Sequence, residues 1–172
     1  MEGQDLKRQR GFEVVQDKHR TAFDIFTDEK KIQHKFPTKI QLPTRADGKS
    51  AGYDFYVPKD IQILPSQKTS FQTDVKAYMQ EDEVLMLYIR SSLAIKQGLM
   101  LSNGVGVIDA SYYNNTSNDG NIGISIMNTS GKAVTLKAGE RVMQGIFKKY
   151  LIADTDETLQ DERIGGIGSS GK

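Results

Sequence analysis

Five short stretches of this 172-residue chain hold side chains whose types and spacing could do chemistry. Arg90-Ser91-Ser92 is the first. A guanidinium and two hydroxyls meet where a β-type run gives way to helix formers. Free backbone N–H groups and the positive helix end gather there beside a fixed cation, which suits a phosphate. The same letters also describe a serine-capped helix with a surface arginine. The second stretch runs from Asn103 through Gly106, Val107 and Ile108 to Asp109, with Tyr112 three residues on. A carboxylate at a strand end can orient and deprotonate a water, or it can be an ordinary turn aspartate. Third, Asp54 lies within Ala51-Gly52-Tyr53-Asp54-Phe55. An acid inside an apolar strand requires a partner, a metal or water, unless it faces solvent from an edge. Fourth, Gln144 sits among apolar residues after Gly139-Glu140, which reads as a hairpin turn. It could hold a water or a ligand, or express plain β alternation. The last stretch is Arg163 followed by Gly165-Gly166-Ile167-Gly168-Ser169-Ser170-Gly171-Lys172. Its glycines, hydroxyls and arginine could wrap a polyphosphate through backbone N–H groups, and its composition equally describes a solvated tail. The letters G-x-x-x-x-G-K at 166–172 lack the following hydroxyl residue and the flanking strand and helix, so they are not a P-loop.

Composition narrows the chemistry. There is no cysteine, which excludes disulfides, thiolate metal sites and thiol nucleophiles. The two histidines, His19 and His34, lie in the N-terminal fifth, which disfavours a Ser-His-Asp triad or a histidine-rich metal site further on. A net charge of +1 gives no general field for nucleic acid or membrane. No apolar run is long enough to span a bilayer, and the charged start has no secretory pattern. The expectation is a single cytoplasmic domain over 1–172 that binds neither nucleic acid nor membrane.

These groups need elements to hold them. Residues 1–10 read as a frayed start, 11–153 as a β core and 154–172 as a mobile, acidic then glycine-rich arm. A strand is expected at 12–15 and a short amphipathic helix near 21–33. From residue 39 the chain becomes a series of short runs rich in Val, Ile, Tyr, Phe and Thr, separated by Gly, Pro, Asn or Asp. They are KIQL, YDFYV, IQIL, TSFQTDVKAYM, VLMLYI, GVGVI, NIGISIM, AVTL and RVMQGIFKKYLI. Strands at this spacing predict an all-β sandwich or barrel. One short helix is expected over 91–97, capped by serine and ended by Gly98.

Taken in chain order, with the Asp54 stretch first and the Arg90 stretch second, the five resemble the motif series of the trimeric dUTPases, from about Lys39 to the C-terminus. The resemblance implies a distorted jelly-roll-like β-barrel with one short helix and a flexible glycine-rich C-terminal arm. It implies hydrolysis of dUTP to dUMP and pyrophosphate by a homotrimer whose sites combine several subunits. Asp109 then matches the general base. Arg90, Ser91 and Ser92 match the phosphate motif, with Gln144 near the phosphates. Asp54 matches an acid near a triphosphate-held Mg²⁺, acting through water. Asn103 matches a polar contact to uracil. Gly106, Val107 and Ile108 match the wall beneath the sugar, and Tyr112 the ring that excludes a 2′-hydroxyl. Gly120, Ile122 and Gly123 match the hairpin whose backbone pairs with uracil. Arg163, Ile167, Gly168 and Ser169 match the arm that closes over the nucleotide.

Three departures from the family pattern stand out. Ser111 replaces a common acid, Ile167 replaces a stacking phenylalanine, and 113–119 is an insertion in the uracil hairpin. The related dCTP deaminases need a pocket glutamate where this chain has the Asp109–Tyr112 arrangement. The alternative of a different class is a dUTP-gated module with a regulatory protein partner, for which residues 1–38 and the insertion would offer surface.

Overall fold

A computed structural model describes residues 8–20 and 40–156. The helix expected near 21–33 and most of the arm, including Arg163, Ile167, Gly168 and Ser169, lie outside the described residues.

The described chain is all-β with one helix, in a jelly-roll-like arrangement. The strands are β1 (Gly11–Val14), β2 (Thr44–Arg45), β3 (Tyr53–Tyr56), β4 (Ile61–Ile63), β5 (Lys68–Gln72), β6 (Val75–Tyr78) and β7 (Glu83–Ile89). Helix α1 (Ser91–Gln97) follows, then β8 (Leu99–Leu101), β9 (Gly106–Asp109), β10 (Gly123–Asn128), β11 (Val134–Leu136) and β12 (Arg141–Lys149). All pairings are antiparallel. Five strands form the largest sheet in the order β2-β3-β12-β7-β9, and β5-β10-β8 form a second. The pairs β1-β6 and β4-β11 complete the set.

Period-two alternation builds the core. In β4, Ile61 and Ile63 turn inward and Gln62 outward, while Leu85 and Leu87 do the same in β7. They meet Ile122, Ile126, Leu136, Val142 and Met143 in one apolar cluster. Full burial of each such side chain contributes about 2 kcal/mol. Phe12 of β1 packs edge-on to Tyr53 and Phe55, which ties the N-terminal strand to the large sheet.

Four local expectations are corrected. The described part of KIQL, residues 40–42, forms no strand, and pairing starts only at Thr44, just after Pro43. The run TSFQTDVKAYM is two strands, broken where Asp74 takes a positive φ of 57°. The cap of α1 is Arg90, with no side-chain capping bond, so neither serine caps the helix. Gly139-Glu140 is a turn but not a hairpin: β11 pairs with β4 and β12 with β3, so the turn carries the chain between sheets. Strand β8, absent from the sequence reading, pairs with β10 just after Gly98 ends the helix.

Candidate active site

One group of site residues gathers where β7 ends. Asp54 lies in the middle of β3, opposite Gln144 of β12, which is itself opposite Tyr88 of β7. Cross-strand neighbours share a face, so these three side chains stand in one row. Asp54 is only 4% exposed. Its carboxylate accepts a hydrogen bond from Arg141 Nη1 at 3.1 Å, and Arg90 Nε lies 3.5 Å from its other oxygen. Two guanidinium groups therefore flank one buried carboxylate. They open onto a cleft of about 520 Å³ lined by Tyr56, Arg90, Leu93, Gly139, Glu140 and Arg141. Ser91 and Ser92 begin α1 at its edge.

Arg141 reaches Asp54 because of a bulge. It pairs with Tyr56 while Met143 pairs with Phe55, so Val142 is an extra residue in β12. Without it, Val142 would take the position opposite Tyr56 and share the face of Gln144. With it, Val142 turns fully inward and Arg141 takes that outer place. The Arg90 N–H donates to Val142 O at 3.2 Å, pinning the bulge to the end of β7. Sequence reasoning gave Arg141 no role. Its only signal was a cation directly before two apolar residues in succession, a break in alternation that marks a bulge.

Gly52 makes room for Gln144. A Cβ there would stand 2.7 Å from Gln144 Oε1 and 3.0 Å from Gln144 Cβ. The close approach at this glycine is made by a side chain rather than by another backbone.

A second group surrounds the end of β9. Asp109 is exposed at the last position of the strand, and a 3-10 turn (Ala110–Tyr112) follows. Tyr112 is half-buried against the core, and its hydroxyl donates to Asn121 O at 2.8 Å. Gly106 is buried, Ile108 is half-buried and Val107 is 55% exposed. Asn103 is exposed in the turn before β9. Gly120 and Ile122 are buried, and Gly123 is exposed at the start of β10. The Ile122 N–H donates to Val75 O at 2.9 Å and its carbonyl accepts from Thr73 N at 3.0 Å. Its backbone is thus already engaged within the chain.

Register separates the two groups. Asp109 pairs with Val84, whereas Asp54 lies level with Tyr88, four residues further along β7 and three strands across. At about 3.3 Å per residue and 4.8 Å per strand, that is roughly 13 Å along the sheet and 14 Å across it, or about 20 Å. The Arg90 guanidinium leans over β3, away from β9. A single chain therefore does not bring Asp109 to the Arg90–Asp54–Arg141 cluster.

Comparison with known proteins matches this frame. A family model described as dUTPase matches residues 38–171. The chain is 44% identical over 133 residues to the deoxyuridine 5'-triphosphate nucleotidohydrolase of Lactococcus lactis, covering 77% of this chain and 89% of that one. The mouse protein of the same name is 34% identical over 134 residues, covering 76% and 78%. The solved dUTPase of Streptococcus mutans superposes with a TM-score of 0.67 at 42% identity, over 84% of this chain and 98% of that one. With the paired-arginine cleft, the strand-end carboxylate and a match over most of its length, the chain belongs to the dUTPase family.

Proposed function

We propose that the chain hydrolyses dUTP to dUMP and pyrophosphate at sites assembled from more than one subunit of a homotrimer. The observation that carries this reading is the split: a cleft with paired arginines and a strand-end carboxylate, each formed, about 20 Å apart in one chain of this family. Symmetric assembly supplies the missing half of each site from a neighbour.

Arg90 and Arg141 hold phosphate oxygens, with Ser91 and Ser92 beside them. Asp54 keeps both guanidinium groups oriented, and Gln144, seated by Gly52, donates or accepts next to the phosphates. Asp109 of another subunit takes a proton from a water, whose oxygen attacks the α-phosphorus. The bond to the bridging oxygen breaks in line and pyrophosphate leaves. Val107, Ile108 and Tyr112 form the floor under deoxyribose, with Tyr112 filling the space a 2′-hydroxyl needs. Asn103 and the backbone of Gly120 and Gly123 face the uracil edge, and Arg163, Ile167, Gly168 and Ser169 close over the substrate.

Magnesium fits this site only as a guest of the triphosphate. Among the described residues no group of three acids or histidines could cage a metal, and both Asp54 oxygens already face arginines. Asp54 would touch the ion's hydration shell at most. The ion would neutralise phosphate charge, with phosphate oxygens as its main protein-independent ligands.

The test is pyrophosphate release from dUTP, dCTP, dTTP and UTP, with and without magnesium. Turnover should be confined to dUTP and depend on the metal. Asp109→Asn should lower kcat by about 10²–10⁴ while nucleotide binding persists. Full activity in that variant would remove Asp109 from its role.

A further inference from the structure

The insertion at 113–119 is built inward, onto Tyr112. Asn115 is buried, and its Nδ2 donates to the Tyr112 carbonyl at 2.8 Å. Its Oδ1 accepts from Ser117 N, Ser117 Oγ and Asn118 N at 3.0–3.1 Å. Asn118 Oδ1 accepts from Asn115 Nδ2 at 2.7 Å and from Gly120 N at 3.1 Å. That leaves the Asn118 Nδ2, which donates to Tyr112 Oη at 2.7 Å. The insertion thus grips Tyr112 at its carbonyl and at the tip of its ring. Gly120 closes the loop at φ +82°, where a Cβ would lie 2.8 Å from the Tyr112 carbonyl oxygen.

The far side of the loop is anchored as well. Asp119 is 2% exposed and binds Lys76 Nζ at 2.9 and 3.1 Å, and it accepts from Gln16 N at 2.8 Å. Lys76 also donates to Asn114 Oδ1 at 2.6 Å, and Tyr113 donates to Glu13. The N-terminal segment and β6 therefore hold the loop that holds the ring.

We propose that Asn118 is a positioning residue for sugar discrimination. It fixes the Tyr112 ring so that the ring cannot withdraw to admit a 2′-hydroxyl. This rests on the reading above that Tyr112 lies under the sugar. Steric exclusion works only if the excluding group is held within roughly 0.5 Å. Tyr112 rides on a short 3-10 turn at a strand end, and its hydroxyl is the point furthest from that support. A hydrogen bond there restrains ring movement better than any contact near Cβ.

The test compares the unsubstituted protein with Asn118→Ala, Tyr112→Phe and the double variant. The readout is the ratio of kcat/KM for dUTP to that for UTP, with thermal melting alongside. Asn118→Ala should lower the ratio roughly three- to tenfold, the weight of one hydrogen bond, and Tyr112→Phe, which also removes the bond to Asn121 O, at least as much. The double variant should fall no further than Tyr112→Phe alone, because that substitution already removes the Asn118 bond. A folded Asn118→Ala protein with an undiminished ratio overturns the proposal, as does a double variant whose losses multiply. If Asn118→Ala does not fold, Tyr112→Phe gives the same refutation: it removes the hydroxyl that Asn118 and Asn121 O hold, leaves the loop, and an unchanged ratio overturns the proposal. Failure of the underlying reading shows separately, as an unsubstituted protein that ignores dUTP or treats UTP equally, and the proposal falls with it.

Discussion

Mixing two disabled variants tests the split site directly. Asp109→Asn removes the base from one half, and Arg90→Gln removes a phosphate ligand from the other. The two positions belong to elements that β7 keeps apart. The Arg90 guanidinium turns toward Asp54, about 20 Å from Asp109 by strand register. A reacting water and phosphorus must approach to about 3–3.5 Å, so one chain cannot serve both ends of the reaction through these side chains. In a ring of three, each site takes its base from one chain and its arginine from the next. Any ring that contains both variants then has one neighbouring pair in which the base-bearing and arginine-bearing chains are both intact. Its activity should be about a third of the unsubstituted value, whichever variant is in the majority. Each parent alone should stay down by about 10² or more in kcat. The assay uses co-expression with two different tags, successive purification on both, and pyrophosphate release from dUTP. Mixed rings no more active than the better parent would refute the shared site, and with it the assignment of either Asp109 or Arg90.

Three further outcomes follow from the described contacts. Lys76→Met strands the buried Asp119 carboxylate without its cation, a loss of about 3–5 kcal/mol. For a chain of this size the melting temperature should fall by roughly 10 °C, with partial recovery when Asp119→Asn is added. Gly52→Ala should displace the Gln144 amide, not the backbone, so kcat/KM for dUTP should drop about tenfold while melting changes little. Acid should loosen the N-terminal strand. Arg10 makes a two-pronged contact with Glu83 at 2.6–3.0 Å and holds that carboxyl below the ordinary range. A lowered folded value means the stabilisation is complete above the unfolded value of about 4.3 and is lost as pH falls through the folded one. Melting curves between pH 6 and 3 should show this, and Glu83→Gln should flatten the acid limb.

Much of the fold was legible because burial on one face imposes period two. Ile61-Gln62-Ile63 carries that signal in its letters, the continuous apolar run over 84–89 marks a strand by length and composition instead, and Gly98 marks the helix end. Partner choice was not legible. Gly139-Glu140 is written like a hairpin turn, and nothing local says that β11 and β12 pair with other strands. The same holds for Arg141. Alternation across Arg141-Val142-Met143-Gln144 would put Val142 on the outer face beside Gln144. The bulge reverses this, because both Val142 and Met143 gain by burial while Arg141 gains an anion, and that gain exists only once β3 lies alongside. The inward bonding of the insertion was not legible for a related reason. Asn114, Asn115, Asn118 and Asp119 have loop composition, which does not say what each side chain bonds to. They bond to one another, to the Tyr112 carbonyl and hydroxyl, and to Lys76.

Strand register keeps the two half-sites apart in one chain. In the cleft, Asp54 lies between Arg90 and Arg141 and orients both guanidinium groups. Under the proposed shared site, Asp109 must stand on the outer face at the end of β9 to reach a neighbouring chain's cleft, so the β7–β9 register bears on the chemistry. A one-residue slip would turn Asp109 from the outer face of the sheet, which it shares with Val107, to the inner one, where Ile108 packs. The pairing is held against that slip by Gly106, which sits against Leu87 so closely that a Cβ would come within 2.9 Å of the leucine Cβ.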